Sequence, residues 1–153
     1  MTRIAIMGDG GWGTALALVL HRNGHAVRVW GAFPDYTAET RHRGENFKFL
    51  PGVPLPPELG WTAAAGEALD QADVILLLPL RAELQEAAFF PSLREYFDQY
   101  GFTQQRARLA QPDAMVLPAG LLTAGVEIAA DVAAATGPAK SEYDASGVAV
   151  CMA

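Results

Sequence analysis

The chain has 153 residues, enough for one domain with an interior of its own. Hydrophobic residues make up 51%, which argues against disorder, and a net charge of −6 disfavours nucleic acid or an anionic membrane surface as partner. Apolar runs such as Val74 to Leu78 are too short to span a bilayer, no secretory signal precedes the first strand pattern, and the lone Cys151 leaves no internal disulfide, all of which fits a reducing, cytoplasmic setting.

In chain order, Arg3 to Gly8 reads as a strand and about Gly11 to Asn23 as a helix, with Gly24 placed to close it in a left-handed conformation. Ala26 to Trp30 is a second strand, ended by Gly31. Pro34 and Asp35 open a short helix through about Arg43, with Gly44 as its stop. The proline-rich stretch Leu50 to Pro57 excludes regular helix and central strand. A short strand near Trp61-Thr62 and a helical piece from Glu67 to Ala72 follow. Val74 to Leu78 is a continuous apolar run of the kind buried on both faces, closed by Pro79. Glu83 to Tyr100 has an amphipathic helical pattern interrupted at Pro91. Met115 to Leu117 is a strand, Val126 to Ala135 an alanine-rich helix stopped by Gly137-Pro138, and Gly147 to Met152 a last strand, the expected place of Cys151. Strand–helix alternation of this kind predicts a parallel sheet covered by helices on both faces.

The most telling segment is Gly8-Asp9-Gly10-Gly11-Trp12-Gly13, between the first strand and the first helix. Its glycines have the spacing G-x-G-x-x-G, which predicts a Rossmann-type doubly wound fold that cradles a dinucleotide pyrophosphate. Gly8 permits the tight turn, Gly10 lets phosphate oxygens approach the main chain, and Gly13 lets the helix sit close to the sheet. The unpaired amides and positive dipole end of the helix then face the phosphates. The ligand belongs at the switch point between the first and fourth strands.

Several blocks resemble the NAD(P)-dependent glycerol-3-phosphate dehydrogenases. They are Gly8 to Ala17, with a tryptophan inside the glycine turn, then Asn23 to Val27, Val29-Trp30-Gly31, Glu45 to Gly52, and Ala68-Leu69 through Asp73. The resemblance covers about residues 3–80 and is thin afterwards. It implies a cofactor domain followed by a helical domain that supplies a general-base lysine and most contacts to glycerol 3-phosphate. The expectation is therefore a single dinucleotide-binding domain over residues 1–153, without the C-terminal substrate domain. Such a chain binds cofactor but does not turn over its small phosphorylated substrate, and its uncovered apolar face invites self-association.

The resemblance further implies that Trp12 lines the cofactor cleft, that Pro79 borders the nicotinamide side, and that Gly137 belongs to a segment near the substrate. Phe33 either stacks on adenine or covers the sheet edge. No catalytic residue is assigned within the chain. Gly11 stands where the family usually has serine, so its amide would bind without a hydroxyl. Ala119 takes the place of a family lysine after the fifth strand, and Ala139 that of a serine. Lys48 and Lys140 are the only lysines, and neither matches the missing one; Lys48 either approaches a phosphate or, the favoured reading, is a solvated surface charge. These departures support an alternative, a non-catalytic nucleotide-binding or regulatory module. Gly31, Ala32 and Phe33 provide neither the acid that selects NAD nor the arginine that selects NADP. With Ala32 in the family's arginine position the reading leans to NAD, although Arg41 and Arg43 lie downstream. His21, His25 and His42 show no metal-ligand spacing.

Overall fold

The computed structural model describes residues 1–80 and 92–135. Gly137-Pro138, Ala139, Cys151 and the strand expected over Gly147–Met152 lie outside the described residues. So does the first part of the helix expected over Glu83–Tyr100.

Five parallel strands form one sheet in the order β3-β2-β1-β4-β5. They are β1 (Arg3–Met7), β2 (Ala26–Trp30), β3 (Gly60–Thr62), β4 (Val74–Leu77) and β5 (Met115–Pro118). The helices are α1 (Gly11–Arg22), α2 (Pro34–Arg43), α3 (Ala65–Leu69), α4 (Leu93–Tyr100), α5 (Gln104–Ala107) and α6 (Ala130–Ala135). The order reverses at β1, which pairs with β2 on one side and β4 on the other. This is the doubly wound, Rossmann-type arrangement, with its switch point between β1 and β4.

Strand alternation builds two cores from one sheet. Ile4 and Ile6 join Val27, Val29 and Leu76 beneath the apolar stripe of α1, Leu16, Ala17 and Leu20. The intervening Ala5 and Met7 face the other way, with Trp30, Ile75, Leu77, Leu69 and Phe102. A period of two places alternate side chains on opposite faces, and both faces are covered. At the sheet's N-terminal edge, Arg3 ties β1 to the residue before β4 through its amide and guanidinium, both donating to the Asp73 carboxylate. Those hydrogen bonds hold the Asp73 carboxyl down at about 2.

α1 closes as its sequence predicts. Gly24 adopts φ +84°, its amide donates to the His21 carbonyl, and the His25 amide donates to the Leu20 carbonyl. That pair is a Schellman closure. Gly44, at φ +63°, closes α2 in the same left-handed conformation.

Two elements differ from expectation. α3 stops at Leu69 rather than Ala72, because Gln71 takes φ +59° and turns the chain into β4. Within the described part of the Glu83–Tyr100 pattern, α4 begins at Leu93 as expected after Pro91, and the Ser92 hydroxyl accepts from the Glu95 amide. α6 begins at Ala130 rather than Val126, because the preceding backbone is pledged elsewhere. Gly125 sits at φ +83°, the Phe102 amide donates to the Glu127 carbonyl, and the Ala129 amide donates to the Phe102 carbonyl. The short α5, capped by Thr103, had no counterpart in the sequence reading.

Ile6 is fully buried at the centre of the sheet. Ile6→Ala is expected to cost about 3 kcal/mol through lost transfer energy and a residual cavity. Urea unfolding measures this; a loss below about 1 kcal/mol would place Ile6 outside the load of the core.

Candidate functional site

The C-terminal edge of the sheet is organised around the turn from β1 into α1. The glycines of this turn are required for different reasons. Gly8 sits at φ +141°, where L side chains are strained, and a Cβ there would come within 2.9 Å of Leu78 Cδ1. A Cβ at Gly13 would overlap the Gly8 carbonyl oxygen and approach Leu78 Cδ1 to 2.7 Å. Gly11 lets the Phe49 carbonyl oxygen come close, 2.7 Å from where its Cβ would be. Gly10 is the exception. Its backbone is extended, and among the described residues a Cβ there would meet nothing within 4 Å. No described residue fills the space above Gly10.

Gly10, at the N-cap, offers no side chain to cap the start of α1. The first-turn amides of Gly11, Trp12 and Gly13 have no intrahelical carbonyl to donate to. With the dipole of a twelve-residue helix behind them, they form an anion-binding end. No acidic side chain in the first turn offsets it.

The turn is held by Asn46, which is fully buried. Its Nδ2 donates to the Asp9 carbonyl at 2.8 Å and to Thr14 Oγ1 at 2.6 Å. Thr14 Oγ1 in turn donates to the Gly10 carbonyl at 2.8 Å. On its other side, Asn46 Oδ1 accepts from the Tyr36 hydroxyl and the Phe49 amide. One amide side chain thus fastens the glycine turn to α2 and to the Glu45–Gly52 block. Asn46 appeared in the sequence only as part of that block; nothing in the spacing showed that it reaches back 37 residues.

The remaining predicted residues surround the turn. Trp12 is half exposed and donates from Nε1 to the Ala119 carbonyl at 3.2 Å, so it bridges α1 to the end of β5. Pro79 follows β4 and packs against Gly120, where a Cβ would approach its Cγ to 2.9 Å. Phe33 is exposed and lies before α2, its ring 6.3 Å from that of Tyr100 on α4. Gly137 lies outside the described residues. Lys48 is exposed, with its ammonium 5.0 Å from the Phe49 ring centroid. Arg43 is paired with Glu39 at 2.6 Å and stacks on Phe47, whereas Arg41 lines a groove of about 610 Å³ beside α2 and β3. None of the turn glycines lines that groove.

α4 lies across the same edge of the sheet. Tyr100 meets the Trp30 ring at 5.9 Å and the Tyr96 ring at 5.5 Å. Burial pushes the Tyr96 hydroxyl up to about 12, and the charges of Glu127 and Asp9 add to the effect. Buried Glu127 accepts from the Leu80 and Thr123 amides, each at 2.7 Å, and so fixes the chain leaving β4.

A family model described as the NAD-dependent glycerol-3-phosphate dehydrogenase N-terminus matches residues 3–86. The chain belongs to this family. A glycerol-3-phosphate dehydrogenase (NAD(P)+) of Bacillus cytotoxicus is 45% identical over 83 residues, 54% of this chain and 24% of the relative. An aspartate carbamoyltransferase catalytic subunit of Heliobacterium modesticaldum is 40% identical over 145 residues, 92% of this chain and 44% of the relative. Among solved structures, the glycerol-3-phosphate dehydrogenase of Coxiella burnetii matches with a TM-score of 0.58 at 30% identity, covering 80% of this chain and 34% of that one. The chain therefore spans less than half the length of each of these proteins. The cofactor of the matched family is NAD or NADP. Ala119 and Gly120 lie beyond the residues that the family model matches. No described helix is long and apolar enough to cross a membrane.

Asn46→Ala would strip partners from the Tyr36 hydroxyl, the Phe49 amide and the Asp9 carbonyl. We expect a loss of about 2–4 kcal/mol in urea unfolding, and a loss under about 0.5 kcal/mol would contradict the bracing role.

Asp9 behaves differently. Burial pushes its carboxyl up from 3.8 to about 6, opposed by its own amide and by Lys48. Between about pH 4 and pH 6 the folded chain keeps this proton while the unfolded chain has lost it. Stability is therefore lost as pH rises through that window, by about 3 kcal/mol. Asp9→Asn is expected to melt higher than the parent protein above about pH 7, with the gain vanishing below about pH 4. A variant that is less stable at the higher pH would show the carboxylate to be a stabilising group.

Proposed function

We propose that this chain forms the dinucleotide-binding domain of a glycerol-3-phosphate dehydrogenase-like oxidoreductase, binding NAD or NADP and not by itself turning over glycerol 3-phosphate. The observation that carries this reading is the uncapped start of α1 beneath the open space at Gly10. A pyrophosphate there would accept from the amides of Gly11, Trp12 and Gly13, with charge neutralisation from the helix end. Gly8 and Gly13 shape the turn, and Trp12 borders the pocket toward Ala119. Phe33 would flank the adenosine half and Pro79 the nicotinamide half, at opposite ends of the switch-point crevice.

When bound, the nicotinamide supplies the hydride chemistry, and the domain's part is to hold and orient it. The second half of the reaction needs a base and a grip on the substrate phosphate. Lys48 and Lys140 are the only lysines in the chain, and Lys48 lies over Phe49. A separate substrate domain is thus part of the proposal, and residues 1–153 supply the cofactor half alone.

A second reading is favoured by one finding. The carbamoyltransferase relative spans 92% of the chain and so takes in residues after 86, where the dehydrogenase family match stops. On that reading the later segment follows a carbamoyltransferase plan, and Ala119 is no loss.

Calorimetric titration of the chain with NAD, NADH, NADP, NADPH and aspartate separates these readings. The first predicts saturable heat with a dinucleotide and none with aspartate. Gly10→Ala sharpens the test, since its methyl meets no atom of the described residues yet occupies the phosphate approach. This variant is expected to keep the parent's stability within about 0.5 kcal/mol and to lose at least about tenfold in dinucleotide affinity. Undiminished binding in Gly10→Ala would move the pyrophosphate away from the turn.

A further inference from the structure

We infer that the Asp9 carboxylate reads the adenosine ribose of the bound dinucleotide, accepting a hydrogen bond from a ribose hydroxyl and repelling a 2′-phosphate, so that the site takes NAD and rejects NADP. This rests on the dinucleotide reading above and names the residue that sets its cofactor choice.

Dinucleotide folds place an acid at the end of the second strand to receive the ribose 2′-hydroxyl. Gly31, Ala32 and Phe33 hold no acid at that point. The structure supplies one from the neighbouring strand instead. β1 and β2 run in register to Met7 and Trp30, and the Gly8 amide donates to the Trp30 carbonyl at 3.0 Å. One step further, Asp9 lies beside Gly31, and its carboxylate occupies the space a side chain there would fill. A Cβ at Gly31 would overlap Asp9 Oδ2 and come within 2.7 Å of its Cγ.

Gly31 is not among the glycines with positive φ, so backbone strain does not account for it. Room for the carboxylate does. Thr37 on α2 closes the other side, its Oγ1 2.6 Å from the same Cβ position, but that hydroxyl donates to the Phe33 carbonyl.

Asp9 Oδ2 is buried without a hydrogen-bond partner among the described residues. An acceptor left in this state costs free energy, which a hydroxyl donor reaching the carboxylate would offset. The position is also correct relative to the phosphates, since Asp9 directly precedes the open Gly10 on the side toward β2. The charged and titratable groups that Asp9 feels are Lys48, Tyr36 and Tyr96. Arg43, the other downstream cation weighed for a 2′-phosphate, is engaged with Glu39. A phosphate brought beside the Asp9 carboxylate would meet like charge in a partly desolvated place, which disfavours it.

The test is calorimetric titration of the 153-residue chain and its Asp9→Asn variant with NAD and NADP, at about pH 8 so that the parent carboxyl is ionised. The parent is expected to bind NAD at least about tenfold more tightly than NADP. Asp9→Asn is expected to shrink that gap to within about threefold, chiefly by gaining NADP affinity, with its melting temperature no lower than the parent's. Parent protein that binds NADP as tightly as NAD would overturn the inference without any variant. So would an Asp9→Asn protein that binds NAD and keeps the parent's ratio, and in that case the dinucleotide reading stands. Absence of binding to either cofactor by the parent would instead sink the dinucleotide reading, and this inference with it.

Discussion

The contact on which the site depends is the close approach of α1 to the end of β1. Gly13 rests on the Gly8 carbonyl, and both lie against Leu78 beyond β4. A methyl group at Gly13 would overlap the Gly8 carbonyl oxygen, and one at Gly8 would be strained at φ +141° and crowd Leu78. That closeness sets the axis of α1. Once the axis is set, Leu16, Ala17 and Leu20 fall onto Ile4, Ile6 and Val29, and the uncapped end of the helix projects at the switch point. Core packing and the proposed anion binding follow from the same absent side chains.

Around this contact the Glu45–Gly52 block acts as a brace. Asn46 has its donors on the turn and its acceptor toward Tyr36 and Phe49, so it is satisfied on both sides while fully buried. Buried amides of this kind cost little when every group is paired and much when one is not. Asp9 is the opposite case. It sits two residues upstream of Gly11 with a buried oxygen that has no hydrogen-bond partner among the described residues. A satisfied polar group thus lies beside an unsatisfied one, at the turn proposed to hold the ligand.

Much of this was legible in the sequence. The strand and helix order, the left-handed Gly24 and Gly44, and the turn between β1 and α1 follow from local pattern, since each depends on residues close in the chain. What could not be read depends on contacts between distant segments. Asn46 reaches Asp9 across the sheet edge, and Trp12 donates to Ala119 across 107 positions. The alanine-rich run after Gly125 has helical propensity, yet Phe102 claims its first turn through two main-chain hydrogen bonds. Tertiary pairing overrode propensity there. Asp9 was visible only as a filler between two glycines. Its place beside Gly31 required knowing that β1 and β2 are neighbours in register.

The central claim is that an anionic diphosphate binds on the first-turn amides of α1. Backbone amide chemical-shift mapping during titration with NAD tests it most directly. The account predicts the largest shifts at Gly10, Gly11, Trp12 and Gly13, with smaller ones at Asp9 and Gly31. Shifts concentrated instead at Arg41, His42, Thr62 and Ala63, along the groove beside β3, would contradict it.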